Sequence, residues 1–452
     1  MNSHKNKHPI IKGTFVLSVT GIAAKGLGFY YKIFLTSLIG VNQLGIYQMI
    51  FPMFTLAITL CVSGLSTTII KYIPRISGKY DISKTLFECI WFSLNVCFIL
   101  SIILVLSSKC IGGILLSNTE CEIYIAVITA ALPFIAVKSC LNAYFLGKGN
   151  ANYFGASHLI EQLARIMFLF VCSKLTGIVT KDARLGVYSA IMGEIISMIY
   201  IIFAFKKYKN KENMKANRTV KPASFSAKII SESIPLTINN AFINLVISVE
   251  AILLPCALKL YYSNYESALI EFGIISGIVI PFLIFPSTIT SALSTVILPS
   301  VSEAVSQKKE RVIIKALSKG LFFCTIYGII IALIYHKYGI EICKITFNNT
   351  EAGKILVIMS FLCPLIYVSN ILTYILNGIA SPKYVLWISI VALYTRISFC
   401  LFAVPNLGIN YYIIGLYVSY TIMDILLLLA IINKIGRITN LNHKELPDIH
   451  NN

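Results

Sequence analysis

Residues 10–38 read IIKGTFVLSVTGIAAKGLGFYYKIFLTSL: an apolar stretch long enough to cross a bilayer, with two lysines inside it. About 20 apolar residues span the roughly 30 Å hydrocarbon core as a helix. On such a helix Thr14, Ser18, Gly21, Lys25, Gly28 and Lys32 share one face, because steps of four and three keep a residue on the same side at about 100° per residue. The rest of the surface is mostly Ile, Leu, Phe, Val and Tyr. A charge at mid-membrane depth costs about 3 kcal/mol on insertion scales. Two lysines on a glycine-lined stripe therefore predict a face turned to a polar cavity.

The pattern of residues 10–38 recurs to the end of the chain. Twelve apolar stretches follow one another at about 10–38, 44–70, 86–107, 123–146, 153–173, 185–205, 229–258, 268–298, 314–335, 355–379, 384–404 and 410–433. With 57% hydrophobic and 13% charged residues among 452, the composition predicts an all-α polytopic membrane protein. The first stretch is too long for a signal-peptide core and no small-residue cleavage pattern follows it, so it is expected to stay as a helix. The net charge of +19 does not point to nucleic acid, because the basic residues are unevenly placed. With the N-terminus inside, cytoplasmic segments hold 25 Lys and Arg, outer segments hold 8, and Lys25, Lys32, Lys138, Arg165 and Arg396 lie within helices. That imbalance predicts cytoplasmic termini and contact with membrane lipids. The 12 cysteines are scattered through apolar runs and the six histidines show no ligand spacing, so neither a metal nor a cofactor is expected. Cys110 and Cys121 flank one outer loop at a spacing that would let them pair.

The basic segment 207–228 is the one long hydrophilic interruption, and it divides the helices six and six. The expected domains are a lobe at 1–206, this linker, and a second lobe at 229–452. The halves also resemble each other. Gly45-Ile46 and Leu65-Ser66-Thr67 recur as Gly273-Ile274 and Leu293-Ser294-Thr295; Tyr144 and Leu146 recur as Tyr374 and Leu376; Arg165-Ile166 with Phe168 recurs as Arg396-Ile397 with Phe399; Gly186 and Tyr188 recur as Gly415 and Tyr417. Six helices per repeat gives both copies one orientation. This predicts pseudo-twofold symmetry about an axis normal to the membrane, a substrate site between the lobes, and alternating access. Prolines near helix ends, among them Pro52, Pro133, Pro286 and Pro364, supply kinks whose freed carbonyls can line a cavity.

The embedded charges divide by their neighbours in sequence. Lys25 lies too deep to reach either interface easily and is expected to face substrate. Lys32 is nearer the outer end and could snorkel instead. Lys138 has no acid within a turn, which leaves substrate contact and an unseen partner both open. Arg165 and Arg396 occupy matched repeat positions. Glu161 and Glu194 stand near the first and Asp424 near the second, so a structural ion pair is expected in each lobe. Glu232, Asn239 and Glu250 share one face of their helix. With Asn244 on the same helix, Asn239 and Glu250 supply the carboxylate and amide oxygens that suit a coupling cation or proton, with a hydrogen-bonded polar face as the alternative. No HExxH, GxSxG or Walker loop occurs and the outer loops are short, so no enzyme is expected.

The run Lys25-Gly26-Leu27-Gly28-Phe29-Tyr30-Tyr31-Lys32, then Leu38-Ile39-Gly40, then Leu44-Gly45-Ile46-Tyr47-Gln48-Met49 with Pro52, resembles the opening of the stage V sporulation protein B family. That family belongs to the MOP superfamily, with the lipid II flippases and the polysaccharide-unit flippases. The resemblance implies a two-lobe, MATE/MOP-like bundle that moves an undecaprenyl-linked sugar precursor between leaflets of a bacterial cell membrane. It also implies a cationic cavity in which Lys25 and Lys32, joined by Lys138 with help from Arg165 and Arg396, hold the headgroup pyrophosphate. Typical relatives carry two further helices that form a lipid-tail groove, and this sequence stops soon after its twelfth stretch. Two other functions stay open: a cation-coupled multidrug exporter of the same architecture, whose cavity should be acidic, and a membrane polymerase of lipid-linked sugars, which should carry large outer loops.

Overall fold

A computed structural model describes residues 7–76, 81–115, 120–175, 182–213, 225–307, 309–379 and 382–444. The middle of the basic linker and the outermost part of both termini lie outside the described residues, as does the Thr14 side chain. Every described element is a helix.

Two compact units divide the chain, 1–252 and 253–452. The first holds α1 (Lys7–Ile58), α2 (Gly64–Ile76), α3 (Ile82–Lys109), α4 (Glu120–Thr129), α5 (Leu132–Gly147), α6 (Ala151–Leu175), α7 (Arg184–Asn213) and the first part of α8 (Ser226–Tyr262). The second holds the rest of α8, then α9 (Tyr265–Gly273), α10 (Ile280–Ile284), α11 (Ser287–Ser306), α12 (Glu310–Phe347), α13 (Thr350–Met359), α14 (Leu362–Ile379), α15 (Pro382–Ser398), α16 (Val404–Leu407) and α17 (Ile409–Lys444).

Among the described residues, ten helices are long and apolar enough to cross a membrane, and eleven if the bent pair α4–α5 counts as one span. One of the ten, Val16–Ile76, has 61 residues, far more than one crossing needs. It is broken at Gly40, whose φ of 79° and ψ of 172° interrupt the helix. Only glycine takes that conformation without steric cost. The break falls between the first two expected stretches, so the chain turns there on a single residue rather than on a polar loop. A π-helical turn at Thr59–Ser63 then passes the chain into α2.

The internal repeat is visible in the backbone. The α4–α5 break at Ala130–Ala131 and the α13–α14 break at Ser360–Phe361 fall at matching places in the two halves, and a proline opens each following helix, Pro133 and Pro364. Proline's missing N–H is harmless at a helix start. Deeper in a helix it strands a carbonyl one turn back. In the second unit Pro286 stands in the break between α10 and α11, where it has no N–H to give Phe282 O, and the Tyr335 hydroxyl donates to that carbonyl at 3.1 Å. Tyr367 caps Leu283 O at 3.1 Å in the same way. These freed carbonyls are satisfied by tyrosines inside the unit rather than left for a cavity.

The core of the first unit packs α2, α3, α5, α7 and the start of α8 through Leu65, Ile69, Ile73, Leu141, Phe145 and Ile201. Large apolar side chains on the outer faces of α3 (Trp91, Phe98, Leu106) and α12 (Phe322, Leu333) are exposed, as lipid contact requires.

Candidate functional site

Four of the expected site residues come together in the first unit. Lys138 of α5 is 5% exposed. Its ammonium donates to Glu161 Oε2 of α6 at 2.9 Å and to Glu194 Oε2 of α7. The Arg165 guanidinium, one turn beyond Glu161, donates to Glu161 Oε1 at 2.6 Å and to Glu194 Oε1 at 3.1 Å. All four carboxylate oxygens thus face a cation, and the two positive and two negative charges cancel. Such a cluster survives burial only with every member paired, because removing one partner leaves an uncompensated charge. Close backbone packing makes the geometry possible. A Cβ on Gly193 would stand 2.6 Å from Arg165 Cγ, so only glycine lets α7 approach α6 at this level.

A cavity of about 390 Å³ opens beside the cluster. Lys138, Glu161 and Glu194 line it together with Ser66, Asn142 and His158. His158 Nδ1 is 3.6 Å from Glu161 Oε2. Behind the cavity Asn142 Nδ2 donates to Ser157 Oγ at 3.2 Å, and Ser157 and Ser197 hydroxyls bond each other at 2.9 Å. Asn142 and the two serines were not among the expected site residues. Asn142 falls four residues after Lys138 on the same helix face, and that spacing is the one signal the sequence offered.

The structure takes Lys138 and Arg165 out of the set free to hold a phosphate. Lys138 has acids within reach after all; they come from α6 and α7, not from its own helix. Lys25 differs. It is exposed, and no hydrogen bond or ion pair is formed by its side chain among the described residues. Lys32 is half-buried and its backbone carbonyl accepts from Thr36. The helix carrying both lysines packs on α6: a Cβ on Gly28 would lie 3.3 Å from Gln162 Oε1. Lys25 and Lys32 sit about 60° and 40° around from Gly28, at the rim of that packed face.

In the second unit Asp424 is buried, but its expected arginine is not what holds it. Ser369 Oγ of α14 donates to Asp424 Oδ1 at 2.5 Å, and Oδ2 has no hydrogen-bond partner. The reason is register. Ser419 of α17 bonds the Ala392 carbonyl of α15 at 2.7 Å, which levels those two residues. The helices run antiparallel, so Arg396 lies four residues to one side of that level and Asp424 five to the other. At 1.5 Å per residue this separates them by about 13 Å along the bundle. The same arithmetic corrects the coupling-ion trio on α8. Asn239 and Glu250 are eleven residues, about 16 Å, apart on one helix, whereas one cation binds its oxygens at about 2.3–2.6 Å. Asn239, Asn244 and Glu250 therefore do not form a single ion site. Asn244 Nδ2 bonds Asn240 O at 3.1 Å and Glu250 is buried. Glu232, on the same face, bonds Lys71 at 2.7 Å and Tyr72 instead. Among the described residues no group of His, Cys, Asp and Glu could hold a metal ion, and Cys110 and Cys121 are both free thiols.

Comparison with known proteins fits this architecture. The chain matches the polysaccharide biosynthesis protein family over residues 10–305. It is 28% identical over 415 residues to the stage V sporulation protein B of Bacillus subtilis (strain 168), covering 89% of this chain and 80% of that one. It is 20% identical over 322 residues to the lipid II flippase MurJ of the same organism, covering 65% of this chain and 58% of that one. Among solved structures, an inward-facing multidrug resistance MATE family transporter of the MOP superfamily superposes with a TM-score of 0.70 at 13% identity, over 93% of this chain and 96% of that one. A MOP superfamily transporter from Pyrococcus furiosus, described as having a binding pocket of reverse polarity, gives 0.65 at 15% identity, over 96% and 97%. The chain belongs to the polysaccharide biosynthesis protein family, and its membrane-length apolar helices adopt the fold seen in transporters of the MOP superfamily.

Proposed function

We propose that this protein is a flippase that carries an undecaprenyl-pyrophosphate-linked oligosaccharide, lipid II or a polysaccharide repeat unit, across the bacterial cytoplasmic membrane by alternating access. The observation that carries the reading is the unequal fate of the embedded cations in the first unit. Lys138 and Arg165 are neutralised by Glu161 and Glu194, while Lys25 is left exposed on a polar stripe. A pyrophosphate headgroup in a low-dielectric setting needs an uncommitted point charge, which Lys25 supplies and Lys32 supports. The family match and the likeness to a sporulation protein and a lipid II flippase support the same substrate class. In this reading both termini are cytoplasmic, Arg396 assists from the second unit, and a proton or cation gradient drives turnover.

Proteoliposomes with fluorescent lipid II test it. Lys25→Ala should abolish translocation and leave the protein folded in the membrane; full activity of that variant would sink the assignment. A MATE-type exporter shares the fold. Resistance to cationic drugs on overexpression, with no lipid translocation, would favour it.

A further inference from the structure

We propose that the cavity of about 390 Å³ in the first unit is a sugar site, which receives the first neutral, hydroxyl-bearing ring of the transported glycolipid. The proposal rests on the flippase reading and assigns a separate place to the saccharide, away from Lys25.

Charge comes first. A site for phosphate would leave a cation uncommitted, and a site for a metal cation would leave a carboxylate uncommitted. Here all four oxygens of Glu161 and Glu194 already face Lys138 or Arg165, so the cluster is balanced once Arg165, which stands outside the cavity lining, is counted. A neutral ligand enters such a cavity without forcing an ion pair apart.

Hydrogen bonding comes next. Asn142 is only 4% exposed and Oδ1 of its amide has no partner. Its Nδ2 is committed to Ser157, which fixes the amide and leaves Oδ1 as a directed acceptor. Ser66, also a lining residue, has its Oγ likewise buried without a partner. A buried polar atom left unmet costs about 1–3 kcal/mol, so these two atoms of cavity-lining residues call for partners from outside the protein, a donor for the amide oxygen and either kind for the hydroxyl. The cavity holds far more than the waters those two atoms need, since a water's share of liquid volume is about 30 Å³. The cavity is at the lower end of the range for small-molecule sites, about 300–1,000 Å³, large enough for a monosaccharide and too small for a whole repeat unit.

Shape completes the match. Phe154 lines the cavity with its ring set against His158, centroids 4.6 Å apart at 66°. An aromatic surface beside a cluster of fixed donors and acceptors suits the two characters of a pyranose, C–H groups on its faces and hydroxyls at its rim.

The full chain in nanodiscs tests this with two probes, bare undecaprenyl pyrophosphate and the same lipid carrying a disaccharide. Wild type should bind the glycosylated lipid about 10-fold more tightly. Asn142→Leu should bring the two affinities to within about twofold of each other, and Ser66→Ala, the gentler change should Asn142→Leu not fold, should narrow the gap several-fold. Lys25→Ala should weaken both lipids equally and keep the ratio. Equal binding of the two lipids by wild type overturns the sugar site alone. An unchanged ratio in folded Asn142→Leu overturns it too. Binding of neither lipid by wild type overturns the flippase reading and the sugar site with it.

Discussion

Lys138 of α5 and Ser369 of α14 occupy corresponding positions in the repeat, at the same offset as Pro133 and Pro364. Opposite each stands a carboxylate, Glu194 on α7 and Asp424 on α17. The second carboxylate of the first half, Glu161, corresponds to Ala392. One fold thus carries a closed network of four charges in one half and a lone buried carboxylate under a hydroxyl in the other. The two halves share helices but not electrostatics. Duplicated architecture fixes where side chains stand and leaves open which of them are charged.

This contrast can be broken from either side. The largest effect should come from Lys138→Met, which strands two buried carboxylates on one arginine and should cost about 3–5 kcal/mol. Denaturant midpoints of the purified protein would show it, and Lys138→Met combined with Glu194→Gln should recover part of the loss. A loss under about 1 kcal/mol would mean that the cluster is not held as a unit. Next come the matched carboxylates. Glu194→Gln should cost about 3 kcal/mol by leaving two cations with one partner, whereas Asp424→Asn keeps an acceptor for Ser369 and should cost under about 1 kcal/mol. Equal losses in the same assay would erase the asymmetry. Gly193→Ala should cost about 1–3 kcal/mol, since the added methyl meets Arg165 Cγ and overpacks the α6–α7 contact. Gly436→Ala, with open space around it, is the control. The smallest stability change belongs to Lys25→Ala, within about 0.5 kcal/mol because nothing rests on that side chain. The same variant should lose transport entirely, which separates a charge kept for function from one kept for folding.

The sequence made the helices and the repeat legible because apolar run length and like-spaced residues are local signals. It made Arg165 and Glu161 legible as well, because a step of one turn brings them onto one helix face. Lys138 escaped because its acids stand on two other helices, and no spacing within α5 reports tertiary approach. The pairing of Arg396 with Asp424 failed for a different reason. Repeat offsets equate positions along the chain, but the Ser419–Ala392 hydrogen bond sets the level of the two helices and puts arginine and aspartate far apart. The α8 trio failed on geometry: Asn239 and Glu250 share a face but stand eleven residues apart along it, and Asn244 is turned about 140° away from Asn239. The break at Gly40 was legible as the gap between stretches 10–38 and 44–70, where Asn42 and Gln43 stand, but nothing in the sequence says that one positive-φ glycine makes the turn.

The charge cluster also imposes a timetable. Lys138 is synthesised 23 residues before Glu161 and 56 before Glu194. At about 5–20 residues per second, the lysine waits roughly 3–11 seconds for its second acid. During that interval α5 holds a charge that costs about 3 kcal/mol in bilayer. Full pairing of that charge has to wait until α6 and α7 are both in place. A chain cut short after α6 would leave Lys138 and Arg165 with one carboxylate between them.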